Sequence, residues 1–149
     1  MCGIVGFYSK TSNKELIIEE QLKTLYHRGP DDNNKYIKQN IALGHTRLAI
    51  IDVDHAKQPM QSHDDRYILI FNGEIYNYLE LRQYLVSKGV EFKTHSDTEV
   101  LLNMYIAYGK DCLLKLNGMF AFAIYDTVKN SIFIARDHFG IKPLYYTYK

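Results

Sequence analysis

The chain has 149 residues, 18 Lys and Arg against 17 Asp and Glu, and a formal net charge of +1, with 46% hydrophobic residues. That length suits one domain with a sizeable core rather than two, and the scattered cations leave no footprint for nucleic acid or an anionic membrane surface. No stretch approaches an apolar membrane span, CGIVGFYS is too short and lacks the basic flank of a signal peptide, and two cysteines fit a reducing compartment, so a cytoplasmic location is expected.

In chain order, CGIVGFYS reads as a buried strand bounded by glycines, and ELIIEEQLKTLYHRG as a helix that stops at Gly29-Pro30. IALGHTRLAIID reads as a strand running into irregular backbone. YILIFNGEIYN is a β-rich run that Asn72-Gly73, a turn-favouring pair, is expected to break. YNYLELRQYLVSKG reads as an amphipathic helix ending at Gly89. SDTEVLLNMYIAYG opens with a capping pattern, Ser96 followed by Glu99, and reads as a helix ending at Gly109. MFAFAIYD and SIFIARD form two strands around the turn TVKN, and the closing PLYYTYK is strand-like. Thirteen tyrosines and seven phenylalanines, placed mostly in strands by this reading, suit a thick sheet-on-sheet core. Strands at both ends with helices between them predict an α+β layered domain.

Familiar cofactor and hydrolase motifs are absent. There is no G-x-G-x-x-G after the first strand, no phosphate loop and no G-x-S-x-G elbow. The six histidines, His27, His45, His55, His63, His95 and His138, have no metal-ligand spacing, so no metal is expected and each reads as a surface or capping residue. What remains are polar clusters at strand ends and helix starts, where sites are commonly built. HRGPDD sets charged groups beside a Gly-Pro turn, and GHTRLAIID places Arg47 inside an apolar strand. FNGE joins an amide, a glycine and a carboxylate, and SDTE puts Asp97 in a first helical turn, where the helix dipole alone would favour it. Cys112, in KDCLLKLNG, reads as a half-buried helical thiol. Cys2 is different. Removal of Met1 would leave it with a thiol and a free α-amine on one carbon, a nucleophile carrying its own base; otherwise it is a small thiol at a strand start.

The blocks MCGIVGF, HRGPDD, LGHTRLAIID, QPM, FNGEIYNYLELR, SDTEVLL, NGMFAFAIYD and RDHFGIKPLYY, spread over nearly the whole chain, resemble the N-terminal glutaminase domain of asparagine synthetases. These are class II glutamine amidotransferases of the N-terminal-nucleophile hydrolase superfamily. The resemblance implies a four-layer αββα sandwich over residues 1–149. It also implies an enzyme that hydrolyses glutamine through a thioester on Cys2 and passes ammonia to a synthetase domain that amidates aspartate with ATP. Asn72 and the N–H of Gly73 would bind the oxyanion, a task that suits an amide followed by a residue without Cβ. Arg47 would hold the glutamine α-carboxylate with its planar fork, and Asp97, helped by Glu74, the α-ammonium. Backbone groups around Leu48, Ile50 and Ile51 would complete the pocket.

Glucosamine-6-phosphate synthases and phosphoribosyl-pyrophosphate amidotransferases share some of these blocks, but the combination of HRGPDD, QPM, FNGEIYN and GMFAFAIYD favours the asparagine-synthetase type. Amidotransferases of this type with another acceptor, a cell-surface sugar or an antibiotic precursor, remain the alternative, as does a non-catalytic scaffold. Family members continue past the PLYY strand into further glutaminase strands and an S-G-G-x-D-S pyrophosphate loop. The glutaminase domain is therefore expected to be C-terminally incomplete, its sheets lacking their last strands, and the ATP-dependent synthetase domain absent. No cofactor is expected for the glutaminase step, with ATP and Mg2+ confined to the synthetase domain. Glutamine and a synthetase domain or subunit are the expected partners, and a homodimer is left open.

Overall fold

The computed structural model describes residues 2–49, 52 and 55–148. Two antiparallel sheets stack face to face between helices. The first sheet has the order β1 (Gly3–Tyr8), β3 (Ile41–Arg47), β2 (Asp32–Lys38). The second has the order β4 (Met60–Gln61), β5 (Tyr67–Ile75), β6 (Gly118–Asp126), β7 (Ser131–Arg136). Helix α1 (Lys14–Leu25) covers the outer face of the first sheet, and α2 (Tyr78–Ser87) and α3 (Asp97–Tyr108) cover that of the second. The layers run α, β, β, α, as the family resemblance implies.

The period-two alternation of strands builds these layers. On β3, Ala42 turns outward to meet Ile18 and Leu22 of α1, while Ile41 and Leu43 turn inward to meet Ile68 and Ile70 of β5 and Tyr125 of β6. On β5 and β6 the opposite face, with Leu69, Phe71, Ile75, Phe120 and Phe122, packs under Leu101 and Leu102 of α3. The large phenylalanines therefore fill the layer between sheet and helix. The layer between the sheets is mostly Ile and Leu, against the expectation of an aromatic inter-sheet core. Tyr78, Tyr84, Tyr105 and Tyr108 lie on helices rather than strands.

Several local expectations hold. The first helix runs into a 3₁₀ turn at Tyr26–Arg28, and α2 and α3 stop at Gly89 and Gly109, both at positive φ (86° and 57°). Ser96 caps α3 by accepting the Glu99 N–H at 3.2 Å. Glu99 does not reach back to Ser96. Its carboxylate instead holds the N–H groups of Lys93 (2.9 Å) and Thr94 (2.6 Å), fixing the loop that leads into the helix.

Four local expectations are corrected. The first strand is only half-buried, because β1 is the outer strand of its sheet. β5 runs unbroken through Asn72-Gly73, since both residues are paired across β6, to Ala121 and Phe120. β2 and the short β4 are strands that hydrophobic patterning did not predict: DNNKYIK is polar and half-exposed, and MQ is two residues long. The closing PLYYTYK forms no strand over its described residues. No neighbour pairs with it there, and Tyr145, Tyr146 and Tyr148 are 92%, 80% and 96% exposed.

Candidate active site

The space between the two sheets is apolar at one end and polar at the other. Along the inward face of β3, Ile41 and Leu43 give way to His45 and Arg47, and along that of β5, Ile68 and Ile70 give way to Asn72. Cys2, next to the start of β1, comes up beside the end of β3. The Leu48 N–H points at its Sγ at 3.4 Å, and the thiol can donate to the Leu48 carbonyl at 3.6 Å. A cleft opens here, lined by Cys2, Arg47, Leu48, Asn72, Gly73, Glu74 and Asp97, together with Ala56, Gln58, Phe71, Thr98, Met119 and Lys142. Seven of the nine sequence-predicted site residues are thus neighbours. The other two, Ile50 and Ile51, lie outside the described residues, as does Met1.

The HRGPDD turn fixes the Arg47 end of this cleft. Gly29 lies so close to β3 that a Cβ there would sit 2.4 Å from the Arg47 carbonyl carbon, which only glycine avoids. Asp31 then donates its N–H to the Arg47 carbonyl (3.0 Å), and its carboxylate accepts from the Ala49 N–H at 2.9 Å. Arg47 itself is 6% exposed and donates from Nη2 to the Asp52 carbonyl at 2.8 Å. The Asp52 carboxylate accepts the His95 N–H at 2.7 Å, so it also ties this loop to the segment before α3. That bond, helped by the His55 ring and opposed by burial, holds the Asp52 carboxyl below its usual range.

The edge of β5 forms the opposite wall. Phe120 of β6 gives its N–H to Asp137 Oδ2 (3.2 Å) and accepts the Asp137 N–H (2.7 Å). Its register partner Gly73 therefore turns its own N–H and C=O away from β6, toward the open edge. Phe71 and Ile75 share that direction. The Phe71 N–H is taken by Gln58 Oε1 at 2.6 Å and the Ile75 N–H by Asp97 Oδ2 at 3.1 Å. Between them, the Gly73 N–H faces the cleft with no acceptor among the described residues. Asn72 is 5% exposed, and its carboxamide makes no hydrogen bond among the described residues. Gly73 must be glycine: a Cβ would sit 2.1 Å from the Met119 carbonyl oxygen and 2.7 Å from the Phe120 Cα.

Two groups at the site are strongly perturbed. Burial pushes the Asp97 carboxyl up to about 6, with the Glu74 charge adding to the rise against the N–H groups of Ile75 and Thr98. The cleft thus holds two carboxylates whose repulsion a bound cation would relieve. Burial lowers His45 to about 4, so its neutral ring donates Nε2–H to the Phe71 carbonyl at 3.2 Å. His45 is 1% exposed, which corrects the expectation of a surface or capping histidine. No group of three or more His, Cys, Asp or Glu residues able to hold a metal occurs among the described residues.

Sequence reasoning passed over Gln58 and Lys142, although both fall within quoted blocks. Lys142 is 3% exposed and lines the cleft, a rare position for lysine. Asp137 sets it there, its carboxylate accepting N–H groups from Phe120, Phe139, Ile141 and Lys142. Burial would raise the Asp137 carboxyl, but these donors outweigh it and the net shift is downward.

A family model described as a glutamine amidotransferase domain matches residues 1–149. The chain belongs to the glutamine amidotransferase domain family. It is 47% identical, over 99% of its length, to "Asparagine synthetase [glutamine-hydrolyzing] 1" of Bacillus subtilis, and 42% identical, again over 99%, to asparagine synthetase B of Escherichia coli. It spans about a quarter of the length of these relatives (24% and 27%). This amidotransferase domain is thus homologous to the glutaminase part of asparagine synthetases, and the alternatives are not favoured.

Among solved structures, the glutamine phosphoribosylpyrophosphate amidotransferase of B. subtilis superposes with a TM-score of 0.76 at 24% identity, over 92% of this chain and 37% of that one. An allosteric regulatory enzyme of purine biosynthesis superposes with a TM-score of 0.58 at 30% identity, over 72% of this chain and 25% of that one. The domain therefore has the α+β fold of N-terminal-nucleophile hydrolases. No helix among its described residues is long and apolar enough to cross a membrane.

Proposed function

We propose that this domain hydrolyses glutamine to glutamate and ammonia, with Cys2 as the nucleophile once Met1 has been removed. The observation that carries the reading is the convergence of Cys2, Arg47, Asn72, Gly73, Glu74 and Asp97 on one cleft, from segments far apart in sequence. The Cys2 α-amine takes the thiol proton as Sγ attacks the side-chain carbonyl carbon of glutamine. Asn72 and the outward Gly73 N–H donate to the oxyanion as it forms. The amine then gives the proton to the departing nitrogen. Ammonia leaves, a γ-glutamyl thioester remains on Cys2, and water cleaves it to glutamate and free thiol. Arg47 pairs with the α-carboxylate, and Asp97 with Glu74 binds the α-ammonium. The thiol, amine and fixed donors supply every proton and charge this step needs, so it runs without a cofactor.

The similarity to asparagine synthetases supports aspartate as the final acceptor, amidated with ATP by a synthetase domain or subunit that receives the ammonia. Glutamate release from glutamine by the chain, with intact mass confirming loss of Met1, tests the reading. Activity abolished by Cys2→Ala is expected; equal rates for the two proteins, or none for either, would reject it.

A further inference from the structure

We propose that Gln58 is a positioning residue for glutamine hydrolysis. Its carboxamide stands in for a missing strand neighbour and holds the β5 edge so that Asn72 and the Gly73 N–H present their donors together. The inference rests on the glutaminase reading above. β4 pairs with β5 only at Ile68 and Leu69, so the edge beyond has no strand beside it among the described residues. Two side chains take the strand's place. Gln58 Oε1 accepts the Phe71 N–H at 2.6 Å, and Asp97 Oδ2 accepts the Ile75 N–H at 3.1 Å. Gly73 lies midway between these clamps, two residues from each.

The other end of the Gln58 carboxamide is also engaged, with Nε2 donating to Thr98 Oγ1 at 3.4 Å. Thr98 follows Asp97 in the first turn of α3, so Gln58 joins the strand carrying the oxyanion donors to the helix carrying the ammonium-binding carboxylate. Gln58 is 6% exposed and lines the cleft with both ends of its amide held inside the protein. It braces the wall rather than offering itself to a ligand. Oxyanion donors work within a few tenths of an ångström of about 2.9 Å, so slack in this edge costs the transition state more than the ground state.

The test compares Gln58→Met, similar in length but unable to clamp, and Thr98→Val, which removes only the outer anchor, with the wild-type chain lacking Met1. The readouts are kcat and KM for glutamine, the rate of Cys2 alkylation by iodoacetamide, NMR amide exchange at Phe71, the Gly73 amide resonance, and the melting temperature. For Gln58→Met, kcat should fall by about 10- to 100-fold, with KM within about twofold and alkylation unchanged, because alkylation uses the thiol but not the oxyanion donors. The Phe71 amide should lose its protection. Thr98→Val should shift the same quantities in the same direction, by less. A kcat loss matched by equal losses in alkylation rate and melting temperature would overturn the proposal in favour of a general structural role. Unchanged Phe71 exchange and an unmoved Gly73 resonance would overturn it whatever the activity. If the wild-type chain released no glutamate while those two amides still responded, the glutaminase reading would fail and the clamp itself would stand.

Discussion

Asp97 should destabilise the fold it belongs to, and by an amount that depends on pH. Its carboxyl rises from an ordinary 3.8 to about 6 because it is buried with Glu74 nearby. Two units at 1.36 kcal/mol each make ionised Asp97 a cost of about 3 kcal/mol to the empty domain. The native state binds the extra proton between these values, so the Asp97 contribution to stability is most favourable below about pH 4, falls as pH rises to about 6, and is flat above. Asp97→Asn removes the charge but keeps an oxygen that can accept the Ile75 N–H. The variant should therefore gain on the wild type by up to about 3 kcal/mol between pH 4 and pH 7, roughly 6–12 °C in melting temperature for a chain of this size. The same change should raise KM for glutamine by about 10- to 100-fold, from loss of a charge-assisted bond to the α-ammonium. Urea unfolding at pH 4, 5, 6 and 7, with glutamine kinetics at pH 7, measures both. A stability difference that stays constant across this range, or that favours the wild type at pH 7, would refute the reasoning.

Other expectations follow from the same geometry. Gly73→Ala places a Cβ 2.1 Å from the Met119 carbonyl oxygen, so β5 and β6 must part; chemical denaturation should show a loss of about 3 kcal/mol or more, with glutamine hydrolysis abolished. Arg47→Lys keeps the charge but loses the fork, and steady-state kinetics should show KM raised about tenfold or more with a smaller change in kcat. Burial pushes the Cys112 thiol up to about 11, and its side chain is 0% exposed. Native mass spectrometry after iodoacetamide should then find one alkylated cysteine, Cys2, and urea-unfolded protein should show two.

The order of elements was legible because hydrophobic periodicity is strong where each face meets a core. Ile18 and Leu22 of α1, and the alternating residues of β3, β5 and β6, carry their layers in their spacing. It failed where long-range pairing decides the outcome. Asn72-Gly73 is a turn pair by local chemistry, yet β6 holds it extended and Met119 allows nothing larger than glycine. The strand-like PLYYTYK has residues suited to pairing, but no described strand lies beside it.

The site divides in the same way. Cys2, Arg47, Glu74 and Asp97 stood out as polar residues at strand ends and a helix start, and resemblance gave them roles, whereas Lys142 was passed over. Gln58 and His45 did not stand out, because their importance lies in bonds to the main chain of Phe71 that no residue type announces. Asp52 is similar, joining two loops through the Arg47 guanidinium and the His95 N–H.

The central claim is that Cys2, freed of Met1, forms a glutamyl thioester in this cleft. Hydroxylamine intercepts such a thioester, so the direct measurement is γ-glutamyl hydroxamate formed from glutamine and hydroxylamine. The processed chain should produce it, while Cys2→Ala and a chain retaining Met1 should not. Hydroxamate from either control at the processed chain's rate, or from none of the three, would contradict the claim.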